Sequence, residues 1–157
     1  MATDCYCNSR KNFNQCCQPL LEGKQVASTA EALMRSRYSA YCTKNYYYVL
    51  NTYVESKRAD LTEDDLAETA KLTTWLYLDV IPHAGLEVDQ VEFKAWYKER
   101  NTVFLLHETS RFIQEKSQWR YLDGQLHQDC GKVSIGRNDS CVCKSGKKYK
   151  QCCMRRY

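Results

Sequence analysis

Residues 88–123 read VDQVEFKAWYKERNTVFLLHETSRFIQEKSQWRYLD, and this stretch decides the fold. Val91, Phe93, Ala95 and Tyr97 fall at every second position, so an extended chain over 88–97 carries four apolar side chains on one face. Residues 98–102 interrupt the alternation and read as a turn, after which 103–114 and 119–123 supply two more strands. Upstream, TWLYLDVI at 74–81 runs into Pro82, which has no amide hydrogen to give to a ladder, and a strand stops there. Four strands joined by short turns predict one antiparallel sheet.

Helices precede the sheet. Ser28, Thr29, Ala30 and Glu31 have the spacing of a capping box, in which Ser28 and Glu31 satisfy each other's orphan amides. Ala30, Leu33, Met34, Arg37 and Tyr41 then recur at helical spacing, predicting a helix to about Lys44. A short helical piece follows over 46–53, dividing Tyr46, Tyr47 and Tyr48 between core and surface. A third helix over 61–74 begins with Glu63, Asp64 and Asp65, where the helix dipole favours negative charge. Helices followed by a run of antiparallel strands place the body, residues 20–130, in the α+β class. Residues 1–19 and 131–157 are separate small modules, the second entered through a linker, GKVSIGRNDS, at 131–140.

Those two ends repeat each other. CYCNSRKNFNQCC at 5–17 and CVCKSGKKYKQCC at 141–153 share seven of thirteen positions and take eight of the ten cysteines. Four clustered thiols are the ligand count of a structural metal site. A disulfide framework does not normally repeat one spacing at both ends, and MATDCYC lacks the basic and apolar regions of an export signal. A cytoplasmic location with reduced thiols is therefore expected. The ligand sets are Cys5, Cys7, Cys16 and Cys17, and Cys141, Cys143, Cys152 and Cys153. Two ions per chain are expected, zinc being the default for tetrahedral sulfur and iron its competitor. One thiol of each adjacent pair is alternatively a spare. Ser9 and Ser145 are placed to donate toward sulfur, and Gly146 to supply a positive φ.

Charge is uneven. The chain is +4 overall, yet residues 131–157 alone carry +7. Lys144, Lys147, Lys148, Lys150, Arg155 and Arg156 form a candidate docking surface for an acidic protein or for phosphates. No run of ~18 apolar residues suggests a membrane span. In the body, Arg35, Arg37, Glu108 and Asp123 either line a ligand pocket or pair across the helix–sheet interface. His83, His107 and His127 are isolated in sequence and read as surface or packing residues. Cys42 reads as a buried small hydrophobe and Cys130 as a free exposed thiol. No nucleophile–base pair is recognisable, so a non-catalytic protein is expected, as a monomer or weak dimer.

CVCKSGKKYKQCC resembles the SEC-C motif of the SecA export motor's tail, which implies zinc bound through all four positions and docking to the acidic chaperone SecB and the ribosome. The whole chain, through PLLEGKQVASTAEALMRSRYSAY, HETSRF, WRYLDG and GRNDSCVC, is similar to the YchJ (UPF0225) family of uncharacterised bacterial proteins. That resemblance implies an NTF2-like central domain, a helix-backed curved sheet, between two SEC-C motifs. The first copy departs from the pattern in Arg10, where the family has Gly; across the two copies Asn8 and Lys144 replace another Gly, and Tyr6 and Val142 replace Pro.

Overall fold

A computed structural model describes residues 2–157. Strands β1 (Thr73–Val80), β2 (Gln90–Glu99), β3 (Thr102–Glu115) and β4 (Gln118–Leu126) pair antiparallel in chain order. Bulges between Trp75 and Tyr77 and between Arg111 and Phe112 shift the register and bend the sheet. The first bulge turns Leu76 and Tyr77 both to the outer face, where Tyr77 meets Trp96 at 5.9 Å between rings.

Residues 131–133, expected to be linker, form a fifth strand, β5 (Gly131–Val133), paired with Val103–Leu105 of β3. β3 is long: β4 covers it only over Glu108–Glu115, leaving its first residues with an open edge that β5 fills. The sheet domain therefore extends past the 130 boundary.

Among the described residues five α-helices lie before the sheet: α1 (Gln18–Leu21), α2 (Ala30–Cys42), α3 (Tyr46–Asn51), α4 (Glu55–Arg58) and α5 (Glu63–Thr69). The cap of α2 is Thr29 rather than Ser28, accepting from the Ala32 amide at 3.0 Å. Position three of the helix is then Ala32, so no capping box forms, and Glu31 pairs with Arg35 instead. The capping box of this chain opens α5, between Thr62 and Asp65. α5 ends at Thr69 rather than 74, because the β-branched Thr73 and Thr74 join β1. Leu33, Met34 and Tyr38 of α2 pack on Val91, Phe93, Ala95 and Phe112 of the sheet's inner face. The alternation over 88–97 sends its apolar face there. Among the described residues no helix is long and apolar enough to cross a membrane.

Candidate metal centres

One loop is built twice. In the first copy the Cys5 amide donates to Lys11 O at 2.8 Å and the Asn8 amide to Cys5 O at 3.1 Å. In the second, Cys141 donates to Lys147 O at 2.9 Å and Lys144 to Cys141 O at 3.1 Å. Single bridges, Asp4 with Asn12 and Ser140 with Lys148, close each loop. A 3-10 turn, Phe13–Gln15 or Tyr149–Gln151, then presents the adjacent cysteine pair. Each loop turns through two positive-φ residues, Asn8 (58°) and Arg10 (64°) or Lys144 (57°) and Gly146 (80°). The backbone that suits glycine at 146 is thus forced on an arginine at 10. Ser9 Oγ lies 3.2 Å from Cys16 Sγ, and Ser145 Oγ donates to Cys152 Sγ at 3.4 Å.

In each cluster the four sulfurs lie within 4.8 Å of one another. Cys7 and Cys16 are 3.7 Å apart, Cys16 and Cys17 3.9 Å, and Cys143 and Cys152 3.5 Å. Around a tetrahedral ion with metal–sulfur bonds of about 2.3 Å, neighbouring sulfurs sit about 3.8 Å apart. All ten cysteines are free thiols. The donor sets therefore fit a metal ion held by four sulfurs at each end.

The electrostatics agree. Hydrogen bonds from Cys17 and Cys7 hold the Cys5 thiol far below its ordinary range, while donating to Cys5 drives Cys17 up. At the other end burial raises Cys141 and Cys153. Burial also pushes Cys143 up, but hydrogen bonds led by Ser145 and Cys152 outweigh it and bring it down to about 7. Sulfurs this crowded lend protons to stabilise one thiolate; a cation stabilises all four.

The modules attach to opposite faces of the domain. Cys5, Cys7 and Cys17 are buried within the main core beside Leu33, Tyr38 and Phe112. Arg35 Nη1 donates to Cys7 O at 2.7 Å, and Asn8 Nδ2 to Leu78 O at 3.2 Å. Cys141, Tyr149 and Cys153 pack instead on the outer face, with Leu76 and Val103. Lys98, only 4% exposed, reaches from β2 to donate to the carbonyls of Cys153 (3.3 Å), Met154 (3.2 Å) and Arg156. Arg156 Nη1 donates to Leu76 O at 3.1 Å, and Lys144 pairs with Asp79 at 2.8 Å. β1 is an edge strand, and side chains of the two modules take its Leu76 and Leu78 carbonyls.

Of the four pocket candidates, the structure brings two together. Arg37 and Glu108 line a cavity of about 350 Å³ between α2 and the inner face of the sheet. Arg37 donates to Val49 O (2.8 Å) and Thr52 Oγ1 (2.6 Å), and its guanidinium lies 4.4 Å from the Tyr53 ring centre. Ser110 and Tyr121 hydroxyls both donate to Glu108 Oε1, at 2.8 and 2.6 Å. Any side chain at Gly124 would collide with that carboxylate. Arg35 is spent on Glu31 and Cys7 O, and Asp123 makes a two-point pair with Arg111 on the other side of the sheet. Neither lines the cavity, and neither arginine pairs with Glu108 or Asp123.

Comparison with known proteins matches this geometry to named families. The model described as YchJ, middle NTF2-like domain, covers residues 29–124, and that of the SEC-C motif covers residues 137–155. A UPF0225 protein of Vibrio cholerae is 38% identical over 156 residues, covering 95% of this chain and 98% of the relative. One from Shewanella sp. strain MR-7 is 42% identical over 161 residues, covering 96% of each. The chain belongs to the YchJ (UPF0225) family. A SEC-C motif containing protein from Rhodopseudomonas palustris superposes with a TM-score of 0.71 at 30% identity, over 78% of this chain and 98% of that one. One from Psychrobacter arcticus gives 0.64 at 29%, over 98% and 95%. The NTF2-like α+β architecture expected from the resemblance stands, with cysteine clusters at both ends.

Several residues of this YchJ-family chain escaped the sequence. Nothing marks Lys98 as a clamp, since a lysine on the polar side of a strand ordinarily faces water. Cys130 is not an exposed thiol: it accepts from the His107 amide and donates to His107 O, both at 3.2 Å. The histidines are not isolated. All three gather around Glu92 on the sheet's outer face. The signal that would have found them is register: His107 sits one strand over from Lys94 and Glu92, on the same face.

Proposed function

We propose that the protein is a zinc-stabilised adaptor of the cytoplasm, whose C-terminal SEC-C module docks an acidic protein surface or ribosomal RNA phosphates. One observation carries this reading. Within the basic tail, Lys144 and Arg156 are committed to Asp79 and Leu76, while Lys147, Lys148 and Arg155 stay exposed. The first two charges fasten the module; the others, with half-buried Lys150, are left for a partner. Four sulfurs at tetrahedral separations suit zinc, the default ion for an all-thiolate structural site. A groove of about 1000 Å³ beside the β1 edge, between the modules, adds Lys44, Lys71 and Arg100 against Asp4 alone. It extends the positive surface toward the N-terminal module.

The test is co-sedimentation with ribosomes, and capture by an acidic export chaperone such as SecB, at physiological salt. Charge reversal of Lys147, Lys148 and Lys150 together abolishes binding if the reading holds. Binding that survives the reversal, or is absent in the unaltered protein, ends it. The cavity supports a second reading, a small-ligand site. Ser110 and Tyr121 hydroxyls both occupy Glu108 Oε1, and Glu108 shares the cavity wall with Arg37, Tyr41, Tyr53 and Trp75. Shifts of the Tyr121 and Trp75 NMR signals in a fragment screen would favour it.

A further inference from the structure

On the outer face of the sheet, Glu92 of β2 is met by every histidine in the chain. Its Oε2 lies 2.6 Å from His83 Nε2, and its Oε1 lies 2.8 Å from His107 Nε2 and 4.0 Å from His127 Nε2. The Glu92 and His107 side chains are only 14% and 10% exposed. The turn after β4 wraps back to place His127, whose amide donates to His107 O at 2.9 Å. We propose that Glu92, His107 and His127 form a third metal site, for a divalent transition ion of the kind imidazole and carboxylate select, while His83, which accepts from the Gly85 amide through Nδ1, holds the other carboxylate oxygen of Glu92.

Chemistry at His107 carries this furthest. Its Nδ1 lies 2.6 Å from Asp129 Oδ1; in the tautomer that donates there, the Nε2 lone pair is directed at Glu92. That lone pair then faces a carboxylate oxygen at 2.8 Å, and two acceptors this close need a proton or a cation between them. Asp129 is itself held by Lys94 at 3.3 Å, so the orienting carboxylate is fixed in its turn. The three donor atoms lie within 4.8 Å of one another. Around an ion with bonds of about 2.0–2.1 Å, tetrahedral donors sit about 3.3 Å apart, between the 2.8 and 4.0 Å found here. His127 now stacks on His107, ring centres 3.7 Å apart, with Nε2 on Thr109 Oγ1 at 2.8 Å. Loading turns His127 out of that stack. Among the described residues Lys94 is the cation paired with this group; Glu92 and Asp129 supply two anions, and a divalent ion reverses the balance.

The test separates this site from the thiols. Full-length protein loaded with zinc and freed of excess metal is titrated with Co(II) at neutral pH. One further equivalent is expected, broadening the ring protons of His107 and His127 in the NMR spectrum without a sulfur-to-cobalt charge-transfer band. Glu92→Gln and His127→Gln each weaken uptake at least tenfold with zinc content unchanged. His127 is 35% exposed, so its variant serves if the first fails to fold. Asp129→Asn, a positioning change, weakens uptake about 10- to 100-fold and keeps the NMR signature. No added equivalent in excess Co(II), uptake carrying the charge-transfer band, or uptake unchanged in both ligand variants overturns the proposal.

Discussion

The two cysteine modules have nearly the same loop and very different surroundings. The N-terminal copy buries three of its four cysteines in the main core under α2, whereas the C-terminal copy is held against the outer face by a few named contacts. Lys98, Arg156 and Lys144 supply most of its polar tethers. The same motif is thus a structural element at one end and an attached unit at the other. The difference lies in what the loop rests on, not in the loop.

The largest effect should come from removing one ligand at each end. Cys7→Ser is expected to lower the stability of the whole domain by more than about 3 kcal/mol, since it costs a metal site and places a hydroxyl in the core. Cys153→Ser should melt the tail and leave the cooperative unfolding of the sheet near its original midpoint. Thermal unfolding combined with amide exchange distinguishes the two; equal losses would break the comparison. Next comes the clamp. Lys98→Met removes a buried ammonium from three carbonyls and should weaken C-terminal docking by about 3 kcal/mol, seen as faster exchange in residues 141–156 alone.

Smaller effects sharpen the comparison within the loops. Arg10→Gly relieves a left-handed backbone and should stabilise by about 1 kcal/mol, while Gly146→Ala should destabilise by about as much. If Arg10→Gly destabilises, contacts of that side chain outweigh its strain. Last, alkylation of Cys143 in metal-stripped protein reports whether the loop outlasts its ion: an inflection near pH 7 means its hydrogen bonds survive, and one in the ordinary thiol range means the tail has melted as in Cys153→Ser. Ser145→Ala should move the inflection upward by removing a hydrogen bond to the thiolate. Cys5, held far lower and buried, should show no inflection in that range.

Much of this was legible in the chain. Alternation at 91, 93, 95 and 97 placed a strand and its inner face, because the pleat has a fixed period of two. The CxC and CC spacing named both ligand sets, because a short loop brings its own residues together whatever else the chain does. Features dependent on distant partners stayed hidden. Gly131–Val133 became a strand only because β4 leaves part of β3 uncovered. Arg35 left the cavity because Cys7 O lay within reach of it, and Asp123 because Arg111 faced it across the strands.

By itself the sequence determined the α+β class, the two four-sulfur loops and the excess of positive charge at one end. All three follow from local period, local spacing or a count. Tertiary structure alone decided which module is core and which is appendage, which basic side chains stay free, and that three histidines scattered over 45 residues converge on Glu92. Such facts are set by strand register and by the packing of elements far apart in the chain. One residue of slip would turn Glu92 and His107 to the inner face, and no local pattern records that choice.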